Sequence, residues 1–195
     1  MTTPRWKRVS AACVVALLVV AGPLIAQQAG AAVLGDGTTS ETAGASCWGI
    51  KQQVPSSPSG LYWLQTPHEN LMVPQQFYCD MTTDGGGWVL IGRGREGWNF
   101  ATTGQGSAAT LRNTISGTAA FAPAALPAST IDGLLNGADV KSLPDGIRVR
   151  RALNTTGTSY QEMRLRMRDV KNWSWAFGAG LITSSIRIGN TTYNG

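Results

Sequence analysis

The chain has 195 residues, of which 43% are hydrophobic and 14% charged, with 24 Gly and 9 Pro. That is room for one domain with a real core, and too little charge for a disordered tail or a coiled coil. Net charge is +5, but Arg5, Lys7 and Arg8 supply three of the positives, so loss of the first residues leaves +2 and no case for a specific nucleic-acid partner. His68 is the one histidine, which excludes a metal site built on two or three imidazoles.

Residues 1–8 (MTTPRWKR) form a positive segment, followed from Val9 to Val20 by the apolar run VSAACVVALLVV and a Gly22-Pro23 break. Ala29-Gly30-Ala31 then matches an A-x-A cleavage site. Together these predict a secretory signal peptide over residues 1–31 and a secreted mature chain that no longer touches the membrane. The alternative is an uncleaved anchor, since Val9–Ala26 spans 18 largely apolar residues. Cys13 lies within the apolar run with no lipobox before it.

Two cysteines remain, Cys47 and Cys79. In an exported chain two cysteines pair, and closing that loop constrains the unfolded chain by roughly 3–4 kcal/mol. The competing reading, a nucleophilic thiol, needs a low-pKa setting and a nearby base, for which His68 is the one imidazole.

Residues 32–45 (AVLGDGTTSETAGA) are small, polar and aperiodic and predict a flexible linker, with an ordered domain over residues 46–195. Gly60–Leu64 (GLYWL) reads as a strand after the PSSPSG turn cluster. Gln75–Met81 (QQFYCDM) and Trp88–Gly92 (WVLIG) read as two more, joined into a hairpin by TTDGGG, where Asp84-Gly85 supplies positive-φ positions. From Thr102 to Thr130 the pattern predicts loops with room for one short helix, and Ser129–Asn136 a short helix capped by Ser129 or Thr130. In Glu162–Asp169 (EMRLRMRD), Met163, Leu165 and Met167 alternate with Arg164, Arg166 and Arg168, a period-two strand with its arginines outward. Ile147–Arg151 (IRVRR) alternates likewise, and the turn residues of Asn154–Thr158 predict that the two strands are neighbours. Ile182–Tyr193 reads as strand, turn, strand, ending on Asn194-Gly195, a favoured hairpin turn. Either the last strand is unpaired or the sequence is a fragment of a longer one, and the pattern favours the fragment.

Ser46-Cys47, Pro58-Ser59-Gly60-Leu61-Tyr62, Phe77-Tyr78-Cys79-Asp80-Met81 and Thr83-Asp84-Gly85-Gly86-Gly87-Trp88 occur in that order. The set resembles the start of the fibrinogen-like C-terminal domain and its intelectin relatives. The resemblance covers about Ser46–Phe100, where Asn99-Phe100 matches a further family pair, and continues more faintly at Arg164–Trp175. Thr102–Leu126 departs from the family, without its aromatic-rich segment. The resemblance implies a strand- and loop-rich α+β domain, incomplete at its C-terminal end, with Cys47 and Cys79 in the family's first disulfide. It implies structural roles for Tyr78, Asp80, Gly85, Gly86, Gly87 and Trp88. The family's calcium site and its acetyl-group or glycan pocket lie later in the domain, with a second cysteine pair and an acidic loop that do not occur here. No metal or ligand residue is therefore carried over, and no cofactor is assigned, although the family allows calcium.

Gly85-Gly86-Gly87 opens a strand rather than a helix, so it reads as a turn and close packing with Trp88 buried beside the disulfide, not as a phosphate cradle. The eleven acids are scattered with no paired-carboxylate spacing, and a Ser-His-Asp triad would have to use His68, in the turn-like TPHEN, where a solvated loop histidine is the simpler account. Arg148, Arg150, Arg164, Arg166 and Arg168 are the candidate contact residues: one face that attracts anionic polymers, acidic glycans or nucleic acid, or else a solvated face softened by Glu162 and Asp169. Like charges directly opposite across strands cost stability, so the register must stagger them or bring in acids. Trp173 and Trp175 share a face if extended and offer a sugar-stacking platform, with core packing as the alternative. Asn154, Asn172 and Asn190 begin glycosylation sequons. Twelve Arg against four Lys, with abundant Ala and Gly, point to a GC-rich bacterial genome.

These readings predict a secreted, non-enzymatic recognition module that binds carbohydrate or another surface polymer. The alternatives are the targeting front of a longer secreted enzyme and a structural envelope protein docking anionic polymer through its arginine face.

Overall fold

Ser46 begins the first element because its hydroxyl accepts the Gly49 N–H at 2.9 Å, capping helix α1 (Cys47–Gln53). This computed structural model describes residues 35–95, 103–112, 114–176 and 182–195. The signal peptide, Trp98 and Asn99-Phe100 lie outside the described residues.

Strands β1 (Gly60–Leu64), β2 (Gln75–Asp80) and β3 (Trp88–Val89) form an antiparallel sheet in that order. Tyr62 faces Phe77 and Gly60 faces Cys79, so alternation sends Tyr62, Leu64, Phe77 and Cys79 into the core. Cys47 bonds Cys79 and ties α1 to the sheet. The expected strand 88–92 is divided. After β3, Ile91 accepts from Leu126 N, and β4 (Gly92–Arg93) pairs with β5 (Ala124–Ala125) in a second sheet.

The expectation of a flexible linker at 32–45 is corrected over the described residues. Gly44 bridges Leu64, and Gly37 O accepts from Trp63 N at 2.8 Å. Asp36 Oδ1 accepts from Thr38 and Thr42, closing the loop. Small residues here permit close approach to β1 rather than mobility.

Helix α2 (Ala108–Arg112) lies against β2, and α3 (Ala128–Leu135) against the 3-10 turn Glu69–Leu71. The expected cap at Ser129 or Thr130 is corrected: Pro127 holds the N-cap position and no side chain caps it. Asn136 ends the helix in the left-handed region at φ 50°.

The third sheet is β6 (Ile147–Ala152), β7 (Tyr160–Met167), β8 (Thr183–Ile188) and β9 (Thr191–Asn194), antiparallel throughout. The predicted neighbours β6 and β7 pair in register from Ile147↔Leu165 to Ala152↔Tyr160. The last strand is paired, with Ile186 opposite Tyr193, and the reversal within the expected strand-turn-strand lies at Gly189-Asn190. Met167 and Trp173 anchor this part of the chain in the core that Ile50, Leu71, Phe77, Met81, Leu111, Leu126 and Ile131 share. Fully burying a side chain such as Phe77 contributes about 1.5–3 kcal/mol. The fold is α+β, loop-rich, with antiparallel sheets.

Candidate functional site

The arginine face of the third sheet is where the predicted site residues meet. Arg148, Arg164 and Arg187 occupy one row across β6, β7 and β8, each directly opposite the next. The register does not stagger these charges, and acids come in to offset them. Arg148 Nη2 donates to Asp80 Oδ2 at 2.6 Å. Arg164 pairs with Asp84 and donates through Nε to Glu162 Oε1 at 3.2 Å. Arg187 reaches the same Asp84 at 3.3 Å.

Asp80 closes β2 and Asp84 lies in the β2–β3 turn, whose shape depends on residues 84–87. Asp84, Gly85, Gly86 and Gly87 all have positive φ, the last two at 74° and 82°. A Cβ at Gly87 would lie 2.8 Å from Trp48 Cα, so the turn seats on α1 only without a side chain there. Asp80 Oδ1 accepts from the backbone N–H of Thr82 and Thr83 at 3.1 and 3.0 Å. Burial opposes ionisation of Asp80, but the Thr83 N–H, the Arg148 guanidinium and the Thr82 N–H together outweigh it and hold the carboxyl well below the usual carboxylate range.

Trp88 completes this junction. The guanidinium carbons of Arg148 and Arg164 both lie 4.7 Å from its ring centroid. The expectation that Trp88 packs beside the disulfide is corrected. Trp88 pairs with Asp80 and Val89 with Cys79, so alternation puts Trp88 on the arginine side and Val89 level with the disulfide. Tyr78, half-buried on the same strand as Asp80, has its hydroxyl pKa raised by burial and by the Asp80 charge.

The candidate arginines therefore divide. Arg148 and Arg164 have side chains only 10% and 11% exposed and are engaged within the molecule, which corrects the expectation that they point outward to solvent. Arg150 is exposed and stacks on Tyr160 at 4.4 Å. Arg166 is exposed, and Arg168, beyond a register shift after Arg166, pairs with Asp169 at 3.0 Å. Arg187 was not singled out from the sequence, although Ile186-Arg187-Ile188 carries the same alternation.

A second polar feature lies at the meeting of three chain segments. His68, Glu69 and Asn70 of one turn, Asp132 of α3 with Gly137 and Ala138 beyond it, and Asn172 line a cleft of about 210 Å³. His68 Nδ1 accepts the Asn70 N–H at 3.2 Å, which leaves the ring proton on Nε2. Asp132 Oδ1 accepts from Trp173 N at 2.8 Å, and Thr66 donates to Gly133 O at 2.8 Å below the wall. Apart from His68, which the triad reading considered, no local pattern marks these residues, because they converge only in the folded chain.

Trp173 and Trp175 do not form a surface platform. Trp173 is 6% exposed, its ring meets Trp175 edge-on at 5.1 Å, and Trp175 Nε1 donates to Leu126 O. Among the described residues no group of three or more His, Cys, Asp or Glu is placed to hold a metal ion, so no residue is assigned to the calcium the resemblance allows. No helix among them is long and apolar enough to cross a membrane.

The family model of the fibrinogen beta and gamma chains, C-terminal globular domain, matches residues 46–108. Its span runs from the α1 cap through the disulfide, the β2–β3 turn and Trp88 into α2. Over residues 46–108 the chain is similar to a fibrinogen-like C-terminal domain, and the α+β, loop-rich fold class expected from the resemblance holds.

Proposed function

We propose that this fibrinogen-like domain is a secreted, non-enzymatic recognition module that binds carbohydrate or another cell-surface polymer. The observation that carries the reading is the fibrinogen-like segment itself, built around the Cys47–Cys79 disulfide. A disulfide in a domain of this type suits an oxidising compartment, as does the signal-like leader at residues 1–31.

A second reading is favoured by the exposed Arg150 and Arg166: docking of anionic polymer by charge. The test is binding of the exported chain to immobilised neutral oligosaccharides, acidic glycans and dextran sulfate, with calcium and with chelator, at low and high salt. Binding to neutral glycans that resists salt supports recognition of sugar. Salt-sensitive binding to dextran sulfate alone moves the function to the arginines, and a folded chain that binds nothing overturns both.

A further inference from the structure

We infer that the cleft between the 68–70 turn, α3 and Asn172 is a binding site for a neutral, hydroxyl-rich sugar ring. The inference rests on the recognition reading and assigns it a site. Its donor and acceptor set is mixed: an imidazole Nε2–H, two carboxylates from Glu69 and Asp132, and two carboxamides from Asn70 and Asn172. Vicinal hydroxyls, each both donor and acceptor, satisfy such a set. The two carboxylates disfavour anionic ligands, so this site selects against the polymers that Arg150 and Arg166 would attract. At about 210 Å³ the cleft is of single-ring size, below the range of drug-sized pockets.

The walls are held in place before any ligand arrives. A Cβ at Gly133 would lie 2.9 Å from Leu71 Cβ and 3.2 Å from Asn70 C, so α3 approaches the turn as closely as a helix can. Thr66 fastens Gly133 O from beneath, Asp132 fastens Trp173 N, and Val140 N donates to Lys171 O at 2.8 Å. Asp132, held in this way, loses little freedom on binding, which is where polar sites usually forfeit affinity, whereas Glu69, Asn70 and Asn172 reach the cleft from exposed positions. Asp132 engages Trp173 N through Oδ1. Gly137, at φ +78°, carries no side chain at the mouth, and a Cβ there would lie 4.0 Å from His68 Cδ2.

The experiment uses the exported chain on an array of neutral hexose, pentose and N-acetylhexosamine oligosaccharides, sialylated and uronic-acid glycans, and dextran sulfate, followed by titration of the strongest neutral hit. Three variants probe the cleft. Asp132→Asn keeps an oxygen for Trp173 N and changes the remaining acceptor to a donor; Asn172→Ala removes a carboxamide; Ala138→Trp fills the mouth from an exposed position. Arg166→Glu is the control, and thermal unfolding of each variant checks the fold. The expected result is neutral-glycan binding weakened about tenfold or more by each cleft variant and unchanged by Arg166→Glu. Neutral-glycan binding that survives all three cleft variants overturns this site and leaves the recognition reading standing. Binding to acidic glycans and dextran sulfate alone, lost in Arg166→Glu, overturns the site in favour of the arginines. A folded chain that binds no glycan overturns the site and the recognition reading together.

Discussion

Arg148 on β6 and Asp80 at the end of β2, 68 residues apart in the chain, meet at 2.6 Å with side chains only 10% and 13% exposed. The pair joins the four-stranded sheet to the turn that precedes Trp88, and both guanidiniums of the Arg148–Arg164 row rest against that indole. Removing one member of a buried pair leaves the other charge without compensation, which costs more than the pair itself contributes.

Asp80→Asn tests this directly. The amide still accepts the Thr82 and Thr83 N–H groups but takes away the nearer of the two carboxylates on Arg148, leaving Glu162 at 4.0 Å, and the expected loss at pH 7 is roughly 3 kcal/mol by urea unfolding. Because the folded carboxyl titrates well below its unfolded value of about 3.9, its contribution is complete above that pH and fades as pH falls toward the folded value. The gap between wild type and variant therefore narrows below about pH 4. An equal gap at pH 7 and pH 3 would show that the charge is not what matters.

Trp88→Ala is expected to cost about 3–5 kcal/mol, as large aromatic truncations do, and to loosen the sheet from the turn. Trp88→Phe keeps a ring for the two arginines and loses less. If the two substitutions are equally harmful, the arginine contact with the ring contributes nothing measurable.

The glycine turn separates strain from space. Gly85 has φ +86° with nothing within 4 Å of a built Cβ, so Gly85→Ala carries conformational strain alone, about 1–2 kcal/mol. Gly87 has similar strain and a backbone clash with Trp48, so Gly87→Ala costs about 1–3 kcal/mol more. Thermal melts of the two variants check the order, which must not reverse.

Opening the Cys47–Cys79 bond, by reductant or by a double Cys→Ser change, is expected to lower stability by about 2–4 kcal/mol, since it releases a loop with sequence separation 32. Denaturant titration with and without reductant measures it, and no change would mean the reduced unfolded chain is already compact.

Surface and interior arginines are expected to behave differently. Arg166→Glu, at an exposed position, leaves stability nearly unchanged while abolishing any salt-sensitive binding to dextran sulfate. Arg164→Gln instead destabilises, because Asp84 and Glu162 lose the more buried of the two arginines they share and keep only the more exposed Arg187. Polyanion binding that survives Arg166→Glu would remove that residue from any docking role.

The pairing of Cys47 with Cys79, the strand at 60–64, most of the strand at 160–167 (expected over 162–169) and the positive φ of Asp84-Gly85 were legible in the sequence, because each rests on local periodicity, on a dipeptide geometry or on the arithmetic of two cysteines, and the α+β class was legible through the family resemblance. Three things were decided only in the folded chain. Residues 35–45 read as a linker because main-chain hydrogen bonds to β1 leave no trace in side-chain composition. The arginine alternation announced a polar face but not what covers it: Asp80, Asp84 and Trp88 arrive from some 60 to 100 residues away, and their positions depend on how two sheets pack. The cleft of His68, Asp132 and Asn172 has no sequence signature, since its polar groups come from three segments whose nearness depends on Gly133 admitting Asn70 and Leu71 at contact distance. Periodicity specifies which way a side chain points; only tertiary packing specifies what it meets there.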